Sequence, residues 1–163
     1  GGTRIEPWTP PVGFQSVPAL KADFADKLAT FPARSVAKSK DGKEIMDKDG
    51  KPVVNVSSSS PLSIYNGMVH PIIPYAIRGA LWYQGEANGP RWLQYRRLLP
   101  ALIADWRERF GVGDFPFLIV SLANYNPLQT KPVEPGWAEI RESQWRTVCA
   151  PADRRARRHA TWP

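Results

Sequence analysis

An α/β fold built on parallel strands is predicted by three features of this 163-residue sequence. Residues 77–83 read as a short strand ending at Gln84-Gly85-Glu86. A long helical pattern follows Gly89-Pro90, and residues 115–123 form a continuous apolar run suited to a strand buried on both faces. Strand, helix and strand in close succession make a βαβ unit, whose crossover is right-handed and whose strands are parallel.

The other elements follow in chain order. Residues 18–31 have helical spacing, with Leu20, Phe24 and Leu28 recurring at every fourth position. Ser16 is a candidate N-cap, Pro18 suits the first turn, and Pro32 stops the helix. Residues 35–60 are polar, with turn signals at Asp41-Gly42 and Asp49-Gly50, which predicts a surface excursion carrying a short hairpin. Asp47 and Asp49 suggest calcium, but the D-x-D-x-D-G spacing and the distal Glu are missing, so a solvated turn is the better reading. In the long helix Trp92, Tyr95, Leu99, Leu102, Ile103, Trp106 and Phe110 share one face. Pro100 removes a backbone donor there and is expected to kink it, and Gly111 and Gly113 end it. A last helix over residues 137–148 follows the Pro-rich loop 126–136.

Hydrophobic residues make up 42% and charged residues 23%, ordinary globular usage for one domain, read here as residues 1–150. The longest apolar run is far too short to cross a bilayer. A net charge of +7 raises the question of nucleic acid. However, Arg154, Arg155, Arg157 and Arg158 against Asp153 place +3 of it in residues 151–163, and the Lys-rich stretch 38–51 is interleaved with Asp and Glu. Solvated loops and an aberrant basic tail account for this, and neither a nucleic-acid nor a membrane partner is expected. Cys149 is a lone cysteine and permits no internal disulfide. The chain opens on Gly1-Gly2-Thr3 without an initiator Met, so it is expected to be a piece of a longer protein.

Open α/β sheets bind ligands beyond the carboxyl ends of their strands, which here are residues 84–88 and 123–125. Gln84 and Asn88 carry neutral amide donors, which suit a developing oxyanion; the competing reading, favoured by spacing alone, makes Asn88 a helix N-cap with Pro90 near the first helical position. Glu86 adds a carboxylate. Gly1-Gly2-Thr3 reads either as a glycine turn whose N–H groups face a ligand or as a frayed terminus, and the nearby Trp8 argues against fraying. His70 is the internal candidate for a general base, although a packed or capping histidine is favoured. Trp8 and Trp82 suit either a sugar platform or core packing, with packing the default. No G-x-S-x-G elbow occurs.

Taken together, several phrases identify a resemblance. Asn66-Gly67-Met68-Val69-His70-Pro71, then Tyr75-Ala76-Ile77-Arg78-Gly79-Ala80-Leu81-Trp82-Tyr83-Gln84-Gly85-Glu86-Ala87-Asn88, resemble the sialate O-acetylesterase family of SGNH hydrolases. Leu98-Leu99-Pro100-Ala101-Leu102-Ile103, Asp105-Trp106-Arg107 and Trp137-Ala138-Glu139-Ile140-Arg141-Glu142-Ser143-Gln144 continue it. The resemblance implies a three-layer α/β/α flavodoxin-like parallel sheet, incomplete in this chain. It also implies a metal-free, cofactor-free hydrolase that removes acetyl groups from an O-acetylated sugar.

Such enzymes take a serine nucleophile from an upstream G-Q-S-N-M phrase and an acid–base pair from a downstream D-x-x-H. Neither phrase stands in this sequence, where Asp153 and His159 are too far apart to match, so the chain alone is expected to be inactive. The resemblance carries Gly2 over as a backbone oxyanion donor, Gln84 as first choice for the side-chain donor and Asn88 as second. It makes Glu86 a loop-ordering residue and Asn124 a contact to loops or substrate. A truncated sheet exposes strand edges, so self-association is anticipated. A secreted or periplasmic location fits the family, and the sequence fixes none. The rival readings are a non-catalytic carbohydrate-binding remnant and a basic nucleic-acid-binding protein driven by the tail.

Overall fold

The spacing of aromatic and aliphatic residues after Gly89-Pro90 produces the longest element of the chain, helix α3 (Trp92–Phe110). In the computed structural model, which describes residues 2–15, 17–29, 34–125, 127, 130–131 and 136–149, its Tyr95, Leu98, Leu99 and Leu102 are wholly buried. The helix runs through Pro100 as one element, with the proline on its exposed side. It ends on Gly111, whose positive φ of 62° closes a left-handed cap by donating its N–H to the Arg107 carbonyl.

Around α3 pack helix α1 (Pro11–Gln15), helix α2 (Pro18–Ala29) and helix α4 (Trp137–Cys149). Leu20 and Phe24 of α2 are buried as their spacing requires, and Phe24 lies against Phe14 with ring centroids 4.8 Å apart. Ser16 and Pro32, the expected cap and stop, lie outside the described residues, as does the basic stretch 151–163. The polar excursion carries the expected hairpin. Strand β1 (Arg34–Val36) pairs antiparallel with strand β2 (Val54–Val56), and isolated bridges Lys38–Glu44 and Met46–Pro52 lie between them. Gly42 and Gly50 take the positive φ that both turns need. Asp47 Oδ1 accepts from the N–H groups of Asp49 and Lys51, so the suspected calcium loop is a self-bonded solvated turn.

The βαβ reading holds in its central feature. Strand β3 (Ala80–Trp82) pairs in parallel with strand β4 (Phe117–Ile119), Leu81 opposite Leu118. Both strands are shorter than their apolar runs. They also alternate: Trp82 is buried and Phe117 and Ile119 half-buried on the face covered by helices, while Leu81 is 80%, Leu118 57% and Val120 49% exposed on the other. The expectation that residues 115–123 are buried on both faces is therefore corrected, because no described element covers the outward side chains. On the covered face Trp82 meets Trp8, Trp106 and Phe117, with centroids 5.9, 6.2 and 6.1 Å away, and the Trp8 and Trp106 rings stand edge-on to it. This aromatic cluster joins α3 to the strands.

Candidate site at the carboxyl end of the parallel pair

Past Trp82 the chain must leave the sheet without disturbing α4, and Gly85 makes this possible. Its φ of 150° is one that side chains rarely adopt, and a Cβ there would sit 2.7 Å from Ile140 Cγ2. The following residues form a tight 3-10 turn (Glu86–Arg91) leading into α3. Gly136, at the start of α4, lies directly against the backbone of Gly89, so no larger residue fits at either contact. The turn, the end of β3 and the first turn of α4 are thus held as one unit.

A buried polar network fills this junction. Gln84 is 8% exposed, and its Nε2 donates to the Thr3 carbonyl and to Asn88 Oδ1, both at 2.9 Å. Asn88 is fully buried; its Oδ1 also accepts from the Ile5 N–H at 2.9 Å, and its Nδ2 donates to Glu6 Oε2 at 3.0 Å. These contacts fix both amide orientations: turning Gln84 over would face acceptor to acceptor at Thr3 and Asn88, and turning Asn88 over would face donor to donor at Gln84 and Ile5. The Gln84 carbonyl accepts from Tyr95 Oη and from Gln144 Nε2, each at 3.0 Å. Burial raises the Tyr95 hydroxyl above its ordinary pKa, with the Trp82 and Gln144 contacts pulling the other way, so it is a neutral donor. Among the described residues, two buried oxygens of this junction, Gln84 Oε1 and Glu6 Oε1, have no hydrogen-bond partner, though Arg91 Nη1 lies 3.8 Å from the latter.

The network brings the Gly2-Thr3 segment to Gln84. Gly2 is exposed with φ 82°, a conformation suited to glycine, and lies next to the carbonyl that Gln84 holds. Asn88 is not a helix cap, because the turn begins at Gly85 and α3 at Trp92. Its side chain is fully enclosed here, with Oδ1 and Nδ2 both bonded within the chain. Both Gln84 amide protons are likewise used within the chain, so its arrangement here is that of a clamp on Thr3.

The remaining candidates divide. Glu86 is exposed on the turn. Asn124 is exposed beyond β4 and its Oδ1 accepts from Arg141 Nη1 at 2.9 Å. Trp8 is half-buried edge-on against Trp82, with its indole N–H donated to Thr3 Oγ1, which suits packing rather than a sugar platform. His70 is exposed and stands edge-on to Tyr65, which itself belongs to the cluster with Phe110 and Phe115 that packs Ile77 and Ala80 where the strands begin. That is the far end of β3 from Gln84. Glu6, Tyr95 and Gln144 escaped the sequence reading, because their partners are distant in sequence; the Glu6 carboxylate beside Trp8 and the final Gln of the matched Arg141–Gln144 phrase were the available signals. Among the described residues, no three His, Cys, Asp or Glu side chains gather to hold a metal, and no helix is long and apolar enough to cross a membrane.

The family model for carbohydrate esterases described as sialic acid-specific acetylesterases matches residues 51–157. Sialate O-acetylesterase of Homo sapiens is 32% identical over 152 residues, which is 88% of this chain and 24% of that protein. The Rattus norvegicus protein of the same name is 33% identical over 159 residues, covering 88% of this chain and 28% of its own length. Among solved structures, a carbohydrate acetylesterase from Xanthomonas citri superimposes with a TM-score of 0.55 at 30% identity, covering 93% of this chain and 27% of that one. The chain therefore spans about a quarter of the length of the relatives it matches.

Proposed function

This chain belongs to the carbohydrate esterase family of sialic acid-specific acetylesterases, and we propose that it supplies the oxyanion side of an O-acetyl sugar esterase. The observation that carries the reading is the 2.9 Å bond from Gln84 to Thr3 at the carboxyl ends of two parallel strands. It draws the Gly2 turn and the end of β3 to one point at the position where α/β sheets bind ligands.

In this reading a serine Oγ from elsewhere in the complete protein attacks the acetyl carbonyl carbon, and a histidine takes its proton. The carbonyl oxygen becomes an oxyanion, for which the backbone N–H of Gly2 is the donor on this chain. Collapse expels the sugar hydroxyl with a proton from the imidazolium, and water then releases acetate. Gln84 is the residue that positions Gly2-Thr3, with Asn88 behind it as the second link. Donation from Gln84 to the substrate itself requires surrender of the Thr3 or Asn88 bond. The exposed Leu81–Leu118 face supports a three-layer arrangement in the complete protein, with a further layer covering these side chains. Glu86 and Asn124, both exposed at the strand ends, are proposed to face the sugar.

Hydrolysis of p-nitrophenyl acetate tests the division of labour. The isolated 163-residue chain is expected to give no rate above buffer, and a protein joining it to the serine and Asp–His phrases is expected to cleave the ester. Hydrolysis by the isolated chain that a serine-directed reagent abolishes would overturn this. Sugar binding by the joined protein without ester cleavage would select the carbohydrate-binding reading instead.

A further inference from the structure

Beyond β4 the chain exposes an aromatic ring that packing does not require. Tyr125 is 81% exposed, yet its ring is stacked on Trp137 with centroids 5.6 Å apart and planes 20° from parallel. Trp137 is held in turn, its indole N–H donating to the Ala123 carbonyl at 2.9 Å. One side of the tyrosine is thus braced, and the other is a fixed, flat, apolar plate in water. Four residues along α4 from Trp137, hence on the same helix face, comes Arg141. It is exposed, and its bond to Asn124 ties the guanidinium to the residue next to Tyr125. That bond uses one of five guanidinium donors, leaving a fork of the kind that grips a carboxylate. The nearest acid on the helix, Glu142, is already paired with Arg96 and Arg146, at 2.8 and 2.6 Å. Trp137 follows Gly136, which abuts the Gly89 backbone, so the start of α4 adjoins the turn that leaves Gln84.

We infer that Tyr125, Trp137 and Arg141 form a subsite for an anionic sugar, the pyranose C–H face lying on Tyr125 and the sugar carboxylate on Arg141. Stacking supplies affinity for any sugar with an apolar face, and the guanidinium selects the charged one. The inference rests on the esterase reading for its link to acetyl cleavage, but binding itself involves no ester.

Titration of the 163-residue chain with N-acetylneuraminic acid and with neutral N-acetylmannosamine, followed by NMR, tests the subsite. The acid is expected to bind about tenfold more tightly, the scale of one exposed charge-assisted contact. Arg141→Gln removes that preference, Arg141→Lys keeps part of it, and Tyr125→Ala weakens both sugars. Both side chains changed are on the surface, so circular dichroism of the three variants should match the parent. Equal affinity for the two sugars, no binding of either, or an unchanged preference in Arg141→Gln overturns the subsite. Failure of the joined protein to cleave p-nitrophenyl acetate would instead count against the esterase reading and leave this result standing.

Discussion

Gln84 Nε2 donates to the carbonyl of Thr3 across 81 residues of sequence, and its second acceptor, Asn88 Oδ1, also receives the N–H of Ile5. The first residues of the chain are therefore tied to the carboxyl end of β3 by amides whose orientations hold one another in place. Several expectations depend on this arrangement.

Asn88→Ala removes three hydrogen bonds from a fully enclosed position and strands the Ile5 N–H and Glu6 Oε2. The expected cost is about 2–4 kcal/mol, the range for breaking a buried polar network. Urea denaturation of the two chains measures it. A loss within ~0.5 kcal/mol, as at an ordinary surface position, would mean that the network is not formed.

In the joined esterase, Gln84→Ala releases Thr3 and lets the Gly2 turn drift. A small displacement of a reacting group costs about 10²-fold in rate, so kcat should fall by that order while KM changes little. Steady-state kinetics with p-nitrophenyl acetate separates the two constants. A raised KM with unchanged kcat would assign Gln84 to ground-state binding instead.

Leu81 and Leu118 stand opposite each other on the bare face of the parallel pair, 80% and 57% exposed. For the isolated chain this face is proposed to meet a second copy, since paired exposed leucines beside free strand edges favour association. Sedimentation is expected to show self-association that Leu81→Lys with Leu118→Lys abolishes. A monomeric parent chain would contradict this.

Asp105 gives a pH dependence with a defined sign. Burial raises its carboxyl above the ordinary value of 3.8, against the pull of the Arg109 guanidinium 2.7 Å away. An acid with a raised folded pKa holds its proton more tightly folded than unfolded. Its contribution is therefore complete below 3.8 and is lost as pH rises towards the folded value. Asp105→Asn cannot titrate, so the parent should lose stability relative to it as pH climbs above 3.8. Urea midpoints of both chains below and above that pH report the difference, and a gain by the parent would reverse the sign assigned to burial.

The helices were legible because their signal is local. The repeat from Trp92 to Phe110 names one face of α3 regardless of its surroundings, and the spacing of Leu20 and Phe24 does the same for α2. Strand limits were less so: β4 spans only Phe117–Ile119, since pairing extends no further than its one partner β3, and nothing in an apolar run says that Leu118 faces outward. Pro100 lies within α3 on its exposed side. At the site the phrases around Gly2 and Gln84 pointed to their meeting, while the roles within it were hidden. Asn88 looks like a cap until Ile5 and Glu6 surround it, and Gln144 is 60 residues from the Gln84 carbonyl it bonds. Hydrogen bonds over such separations leave no periodicity to read.

Hydrogen exchange at the Gln84 side-chain amide, followed by NMR in the isolated chain, addresses the junction most directly. Both Nε2 protons are engaged in a site only 8% exposed, so exchange slowed by at least about 10²-fold relative to free glutamine is expected, with the protection lost in Asn88→Ala. Exchange at the rate of free glutamine would show that Gln84 does not hold Thr3, and the proposed oxyanion side would lose its foundation.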